Sequence, residues 1–304
     1  MSKIAFIFPG QGSQYSGMGK DFYDEYEQAR IVYETACTAS GIDVKEICFG
    51  DDERINKTEY TQIAMFTTEM AILEVIKSMG IKPDVCAGLS LGEYGALYSA
   101  GVLPLNELMI LVRKRGIYMQ DAYPSGGAMT AVIGMDASIV EDICEKTEGI
   151  VKVANYNCPG QLVISGDEQA VKNAETALRE AGARRCIPLK VSGPFHTELL
   201  KSASQKLLEE MDDLTFKNPS IPYYSNVDAT YVDKADGVKE MLAKQMISSV
   251  RFWQSIEKMI ESGVDTFVEI GPGKSLSGFV KRINSDIKVI NIDKACDLRK
   301  LEEI

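Results

Sequence analysis

The alternation of apolar and polar positions along the chain predicts strands and helices in turn, which is typical of an α/β protein. The segment from Lys3 to Phe8 predicts a first strand, and it leads directly into the glycine-rich turn from Pro9 to Ser13. Apolar residues at helical or strand spacing then predict helices over 18–39, 61–79, 91–100 and 105–122 and a short strand over 84–88. The last of these helices is apolar around much of its circumference, so we expect it to be buried.

From Gly126 onward, strand and helix segments follow one another in a βαββαβ order. The segments are strand 127–134, helix 136–147, strand 150–156, strand 161–165, helix 167–181 and strand 184–191. This order is the split-βαβ, or ferredoxin-like, pattern, and glycines and a proline flank it as turn residues. We therefore predict a ferredoxin-like small domain at 126–193, inserted into a core made of residues 1–125 and 194–304.

Beyond the small domain, the chain returns to its first rhythm. A helix is predicted from about Glu198, followed by a strand over 221–226, two helices, a strand over 266–270, a helix and a strand over 287–292. Because strands that alternate with helices pair in parallel, the simplest architecture is a parallel sheet that carries an inserted small domain.

Charge and composition exclude several classes of function. The 304 residues include 33 Lys and Arg against 44 Asp and Glu, which gives a formal net charge of -11 at pH 7. Such a chain has no broad positive field for a phosphate backbone, so we expect no nucleic-acid partner. The 7 cysteines form no Cys-x-x-Cys pair and the chain has 1 histidine, so we expect no metal site.

No targeting or membrane segment is predicted. The first apolar run, Ile4 to Phe8, is too short for the core of a signal peptide. The best candidate for a membrane span is interrupted by Pro104, Asn106 and Glu107. We therefore expect a cytoplasmic protein with no membrane partner.

The strongest local signal for chemistry is Gly88-Leu89-Ser90-Leu91-Gly92, which lies between a predicted strand and a predicted helix. This is the context of a nucleophile elbow, where two glycines allow the strained turn that presents a serine at the carboxyl edge of a sheet. The N–H of Leu91 is then free to stabilise an oxyanion. The alternative is a chance Gly-x-Ser-x-Gly in a loop, but the strand and helix on either side favour the elbow.

A serine nucleophile needs a base, which is normally a histidine. His196 is the single histidine of the chain, and it lies where the chain leaves the small domain and enters a helix. We therefore expect it at the junction of the two domains. A lone histidine is usually structural or exposed, but its combination with the elbow favours the role of base.

Arg115 lies on the helix that we expect to be buried, in register with Leu111 and Met119. A buried guanidinium needs an anionic partner. Two interpretations remain open at this point: an internal salt bridge, or a bidentate site for a substrate carboxylate. The periodicity only weakly favours Arg115 over Arg113 for either role.

Two other glycine-rich turns do not support nucleotide binding. The segment 271–275 ends like a phosphate-binding loop, but Val268 occupies the position where that motif requires its first glycine. The turn at Gly10 to Gly12 lacks the Gly-x-Gly-x-x-Gly form of dinucleotide sites. What this first turn can supply is a second backbone N–H, from Gln11, near the sheet edge where Ser90 emerges.

Seven short fragments, taken in order, resemble the malonyl-coenzyme A:acyl carrier protein transacylases of bacterial fatty-acid synthesis. The fragments are FPGQGSQ (8–14), TQIA (61–64), GLSLGEY (88–94), RGIYMQ (115–120), NYNCPGQ (155–161), SNV (225–227) and EIGPG (269–273). They extend over essentially the whole chain. The resemblance implies an α/β fold with an α/β-hydrolase-like parallel-sheet core and a ferredoxin-like insert, which agrees with the βαββαβ pattern.

The resemblance also implies roles for the residues that form the catalytic centre. Ser90 is the acyl-carrying nucleophile, His196 is its base, and the N–H groups of Gln11 and Leu91 form the oxyanion hole. Gln245 matches the family position whose backbone carbonyl orients the histidine, in place of the carboxylate of a triad.

Substrate recognition is implied by the same resemblance. Arg115 binds the free malonyl carboxylate, and Gln62 and Asn157 line the site. Phe195 adds bulk beside the base, as in malonyl-selective relatives, so we expect α-methylated malonyl to react poorly. One departure is Leu89, since many relatives have a histidine before the nucleophile; that histidine is not the base, so the mechanism is expected to survive.

The reaction implied is transfer of malonyl from malonyl-coenzyme A to the phosphopantetheine thiol of acyl carrier protein, for fatty-acid elongation. Coenzyme A thioester and carrier protein are then the partners, and no cofactor is bound permanently. Three alternatives remain open: a serine thioesterase or esterase, an acyltransferase that serves a polyketide or polyunsaturated-lipid synthase in trans, and a non-catalytic docking module. The complete set of serine, histidine and arginine argues against the last of these.

Overall fold

The first and last parts of the chain supply the strands of one sheet. The computed structural model describes residues 2–191 and 193–304, so Ser192, in the predicted turn before His196, lies outside the described residues. The strands of the sheet are β1 (Ile4–Phe8), β2 (Val85–Gly88), β7 (Tyr223–Tyr224), β8 (Tyr231–Val232), β9 (Thr266–Ile270) and β10 (Lys288–Ile292). Within the described residues their order is β10-β9-β1-β2-β7-β8, and only β7 and β8 pair antiparallel.

Helices cover both faces of this sheet, which is why its central strands are apolar on both sides. The helices outside the small domain are α1 (Lys20–Glu25), α2 (Glu27–Ser40), α3 (Val44–Phe49), α4 (Thr58–Ser78), α5 (Gly92–Ser99), α6 (Leu105–Ala122), α9 (Lys201–Glu210), α10 (Val238–Gln245), α11 (Phe252–Glu261) and α12 (Ser275–Ile283). Helix α6 spans the predicted residues 105–122 and buries apolar side chains together with that of Arg115. The prediction of a parallel sheet is confirmed.

A predicted helix and a predicted strand differ from the structure for local reasons, and the strand predicted over 184–191 is shortened to Arg185–Pro188. The single helix predicted over 18–39 is interrupted at Tyr26, whose backbone is extended, with φ -122° and ψ 128°. The guanidinium of Arg30 donates to the carbonyls of Tyr23 and Asp24 and so satisfies the end of α1. The strand predicted over 221–226 is only two residues long, since Pro222 supplies no N–H to a ladder.

The middle of the chain forms a second, antiparallel sheet. Its strands are β3 (Gly127–Ile133), β4 (Val151–Cys158), β5 (Gln161–Asp167) and β6 (Arg185–Pro188), in the order β4-β5-β3-β6. Helices α7 (Ala137–Lys146) and α8 (Glu168–Glu180) pack on one face around a core of their own. The observed order is the one that the split-βαβ pattern gives.

The other face of the antiparallel sheet points toward the parallel sheet. Met129, Ala131 and Val163 from this face belong to the main hydrophobic core. The N–H of Val250, which precedes α11, donates to the carbonyl of Ala154 on β4 at 2.8 Å. The space between the two sheets is therefore walled by both parts of the chain.

None of the helices in the described ranges combines the length and apolar composition that a membrane crossing requires.

Candidate active site

Ser90 occupies a strained turn between β2 and α5, with a φ of 56°. A Cβ atom at Gly88 would lie 1.9 Å from the carbonyl carbon of Gly92, and one at Gly92 would lie 2.0 Å from the carbonyl oxygen of Phe8 on β1. Both positions therefore exclude any larger residue. The strand, turn and helix have the geometry of a nucleophile elbow.

Asn226 ties this turn to the next strand of the sheet. Its Oδ1 accepts from the backbone N–H of Ser90 at 2.6 Å, and its Nδ2 donates to the carbonyl of Gly88 at 2.7 Å. Asn226 follows β7, which pairs with β2, so the topology brings it to the same edge. Sequence reasoning assigned no role to this residue, although it lies in one of the seven fragments.

His196 meets the serine at the junction of the two sheets. Its Nε2 lies 2.8 Å from Ser90 Oγ, and its Nδ1 lies 2.9 Å from the backbone carbonyl of Gln245. A carbonyl can only accept, so Nδ1 carries the hydrogen and Nε2 is free to accept the hydroxyl proton of the serine. The structure thus brings together residues 106 positions apart.

The imidazole of His196 is almost completely buried. Burial, reinforced by the positive charge of Arg115, lowers the pKa of His196 to about 4. At neutral pH the ring is therefore uncharged, which is the form that a general base requires.

Arg115 is fully buried on α6, and neutral groups hold its guanidinium. Nη1 donates to Gln62 Oε1 at 2.7 Å, and Nη2 donates to Gln245 Oε1 at 2.9 Å and to Ser90 Oγ at 3.1 Å. Within the described residues no carboxylate forms a salt bridge with it, and its Nε has no hydrogen-bond partner. The internal salt bridge considered above is thus not formed, and the cation is available to an anionic group.

Arg113 lies two residues earlier on the same helix and faces elsewhere. It forms an ion pair with Glu59, with 3.0 Å between Nη2 and Oε2. Of the two arginines, only Arg115 contacts the serine.

Gln11 and Leu91 both line the space in front of Ser90. Gln11 follows β1 and Leu91 follows β2, and these strands are adjacent, with Phe8 paired to Gly88. Among the described residues neither backbone N–H has a hydrogen-bond partner. Leu89, in place of the histidine of many relatives, packs against Gly10, where a Cβ would lie 2.6 Å from the carbonyl oxygen of Leu89.

A cavity of about 640 Å³ lies over the elbow. Its walls come from both parts of the chain and include the residues named from the sequence: Gln11, Gln62, Ser90, Leu91, Arg115, Asn157, Phe195 and His196. Gln245 lies behind this wall. Asn157 Oδ1 is buried without a partner, so it remains free to accept a hydrogen bond from a ligand.

The turn at Gly271 holds a carboxylate where a phosphate-binding loop would hold its ligand. Glu269 accepts from the backbone N–H groups of Leu276 at 3.0 Å and Ser277 at 2.8 Å. The start of α12 is therefore already satisfied by the chain itself. No cluster of three or more His, Cys, Asp or Glu side chains in the described ranges could hold a metal ion.

Comparison with known proteins places the chain in one family. The acyl transferase domain family matches residues 5–292. The malonyl CoA-acyl carrier protein transacylase of Bacillus subtilis is 47% identical over 297 residues, which cover 96% of this chain and 94% of that protein.

Solved structures agree with this result. The crystal structure of malonyl CoA-acyl carrier protein transacylase from Clostridium perfringens has a TM-score of 0.95 and 45% identity, covering 99% of this chain and 96% of that chain. A malonyl-transacylase in complex with a type II polyketide-synthase acyl-carrier protein has a TM-score of 0.97 and 36% identity, with 100% of both chains covered. The chain therefore belongs to the acyl transferase family, as one of its malonyl CoA-acyl carrier protein transacylases.

Proposed function

We propose that this protein transfers a malonyl group from malonyl-coenzyme A to the phosphopantetheine thiol of acyl carrier protein through a malonyl-Ser90 intermediate. The observation that carries the proposal is the shared position of Ser90 Oγ, 2.8 Å from His196 Nε2 and 3.1 Å from Arg115 Nη2. In malonyl, one methylene separates the thioester carbonyl from the free carboxylate. Because this acyl group is short, a cation that binds its carboxylate must lie close to the nucleophile, as Arg115 does.

In the first half of the reaction, Ser90 Oγ attacks the thioester carbonyl while His196 Nε2 takes the hydroxyl proton. The N–H groups of Gln11 and Leu91 stabilise the negative charge on the carbonyl oxygen. When the tetrahedral intermediate collapses, the C–S bond breaks. Coenzyme A leaves as the thiol with the proton from His196, and malonyl remains on the serine as an ester.

The second half reverses these roles with a different thiol. The phosphopantetheine thiol of the carrier protein attacks the ester carbonyl and gives its proton to His196. The C–O bond to Ser90 then breaks, and the imidazolium returns a proton to Oγ. Arg115 holds the malonyl carboxylate in both halves, with Gln62 and Asn157 beside it. The proposed chemistry uses side chains, backbone N–H groups and the two thiols, and it calls for no resident cofactor.

The low pKa of His196 predicts an enzyme that keeps its activity in mildly acidic buffer. Because the imidazole must be neutral to act as base, the rate falls only as the pH drops through about 4. Acylation of Ser90 by p-nitrophenyl acetate, a neutral ester, is expected to be nearly as fast at about pH 5.5 as at about pH 7.5. Loss of half the rate near pH 6.5, the ordinary pKa of histidine, would contradict the proposed environment of the base.

Phe195 is proposed to limit the acyl group to malonyl. It is 5% exposed, lines the cavity and precedes the base, so we expect an α-methyl group to collide with it. We expect kcat/KM for methylmalonyl-coenzyme A to be about 10- to 200-fold below that for malonyl-coenzyme A, the range for one methyl group. Phe195→Ala should narrow this difference.

Phe279→Ala is the matched control, since Phe279 also lines the cavity but comes from α12. It should leave the ratio of the two substrates unchanged. Equal turnover of malonyl and methylmalonyl thioesters by the unmodified protein would refute the role of Phe195.

Hydrolysis is the main competing reaction, because the same serine, base and oxyanion hole serve esterases. A transferase must let the thiol react and keep water from doing so. Incubation with malonyl-coenzyme A and phosphopantetheine-bearing carrier protein should give malonyl-carrier protein as the main product. Free malonate as the main product, with the carrier protein unmodified, would identify a thioesterase.

A polyketide pathway is the second candidate, because one similar structure is a complex with a polyketide-synthase carrier protein. The chemistry at Ser90 is identical in both pathways. The ratio of kcat/KM for fatty-acid and polyketide carrier proteins decides between them, and a preference for the fatty-acid carrier supports our proposal.

We also propose that the core, 1–125 and 194–304, is α/β-hydrolase-like and that 126–193 is a separate ferredoxin-like domain. The elbow after β2 and the strand order of the antiparallel sheet support this division. We further propose that the protein acts in the cytoplasm, where coenzyme A thioesters are made.

A further inference from the structure

Glu93 is a buried carboxylate directly behind the nucleophile. It lies in the first turn of α5, three residues after Ser90, and is 1% exposed. It does not line the cavity, so it cannot touch the substrate. A buried carboxylate is costly unless it is well hydrogen-bonded, so its partners indicate what it does.

The principal partner of Glu93 is the side chain of Gln245. Glu93 Oε2 accepts from Gln245 Nε2 at 2.6 Å and from the backbone N–H of Asn226 at 3.3 Å. The other end of the same amide, Gln245 Oε1, accepts from Arg115 Nη2 at 2.9 Å. The side chain of Gln245 thus links the carboxylate to the guanidinium.

An amide group can turn by 180° with almost no change in shape, so only its partners decide which end faces Arg115. A turned amide would point its N–H groups at the guanidinium, which can only donate. Glu93 can only accept when it is ionised. Gln245 Nε2 also donates to the backbone carbonyl of Ser90 at 2.9 Å. With this carbonyl and the carboxylate of Glu93 on one side and Arg115 on the other, one orientation satisfies all three neighbours.

The negative charge of Glu93 is a less constant feature of the site than the oxygen that it presents to Gln245. Burial raises the pKa of Glu93 to about 7, although Gln245 and Asn226 oppose this rise. A group that is only partly ionised near neutral pH is a poor permanent counter-charge. Either form of the carboxyl still presents an oxygen to Gln245.

We propose that Glu93 is a positioning residue for substrate recognition: through the side-chain amide of Gln245, it holds the Arg115 guanidinium in place for the malonyl carboxylate. This inference rests on the proposed malonyl transfer. It assigns the selectivity for an anionic acyl group to three linked side chains, Glu93, Gln245 and Arg115, of which only Arg115 faces the cavity.

Two variants separate the effect of the position of the acceptor oxygen from the effect of the negative charge. Glu93→Gln keeps an acceptor oxygen at the same distance and removes the charge. Glu93→Asp keeps the charge and withdraws the oxygen by one methylene. The readout is the rate of Ser90 acylation by malonyl-coenzyme A, which needs Arg115, divided by the rate with p-nitrophenyl acetate, which does not.

We expect Glu93→Asp to lower this ratio about tenfold, the effect of one lost hydrogen bond to a charged or buried group. Glu93→Gln should stay within about threefold of the unmodified protein. Equal losses with both substrates in Glu93→Asp would show a merely structural role and overturn the proposal. A larger loss of the ratio in Glu93→Gln than in Glu93→Asp would overturn it in favour of charge.

Gln245→Met completes the test, because it removes the amide and keeps the backbone carbonyl that binds His196. Alone it should lower the ratio about as much as Glu93→Asp, and the double variant should lower it no further. Additive losses would overturn the proposal. If Glu93→Asp does not fold, as judged by its melting curve, an unchanged ratio in Gln245→Met is the contradicting result.

Failure of the proposed function itself gives a different result. In that case the unmodified protein is acylated by p-nitrophenyl acetate and not by malonyl-coenzyme A.

Discussion

Ser90→Ala is expected to reduce malonyl transfer to carrier protein by at least about 10⁴-fold, because it removes the atom that we propose carries the acyl group. The proposed base and oxyanion hole remain in place, but the proposed covalent intermediate cannot form. The measurement is the steady-state rate of malonyl-carrier protein formation, with a melting curve to establish that the variant is folded.

Ser275→Ala is the matched control, since Ser275 also lines the cavity but belongs to α12. It should transfer malonyl at nearly the rate of the unmodified protein. If Ser90→Ala kept a substantial fraction of the activity, another group would have to be the nucleophile.

Arg115→Ala is expected to lower kcat/KM for malonyl-coenzyme A by about 10²- to 10³-fold. Each hydrogen bond to a charged group contributes about 1.5–3 kcal/mol, and the malonyl carboxylate would lose its bidentate partner in an enclosed cavity. Acylation by p-nitrophenyl acetate should change far less, because that ester has no carboxylate. The measurement is therefore the pair of acylation rates in one variant.

Arg113→Ala provides the comparison on the same helix. Arg113 is paired with Glu59 and does not contact Ser90, so its loss should affect both substrates only slightly. If Arg115→Ala lowered both acylation rates equally, Arg115 would be supporting the fold and not the malonyl carboxylate.

The architecture could be predicted largely because periodicity and turn residues report on local structure. The βαββαβ order from 126 onward follows from alternation and glycine positions, and the structure has the corresponding strand order. The elbow could also be anticipated, because the backbone at Gly88 and Gly92 leaves no space for a side chain and only glycine fits. Local sequence contains both kinds of information.

The contacts between distant segments could not be predicted in this way. Asn226 reaches the elbow only because β7 pairs with β2, and the pattern that predicts a strand over 221–226 does not indicate which strand it pairs with. The link from Glu93 through Gln245 to Arg115 joins the consecutive helices α5 and α6 to α10, with Gln245 lying 152 positions after Glu93 and 130 after Arg115. The family resemblance assigned a role to the backbone carbonyl of Gln245. The contacts of its side chain became known only from the structure.

The choice between Arg113 and Arg115 illustrates the same limit. Both lie on α6, and helical periodicity alone separates them weakly. Tertiary contacts distinguish the two arginines, since Arg113 pairs with Glu59 on α4 while Arg115 contacts Ser90 at the elbow. Whether a buried cation is paired inside the protein depends on tertiary contacts that one segment of sequence does not contain.

Intact-mass measurement of the protein after mixing with malonyl-coenzyme A tests the central claim most directly. We predict that the unmodified protein gains the mass of one malonyl group and Ser90→Ala gains none. The adduct should persist in buffer and disappear when phosphopantetheine-bearing carrier protein is added, with the malonyl group recovered on the carrier. An adduct that forms equally on Ser90→Ala, or that is lost to water as fast as to the carrier, would contradict the account.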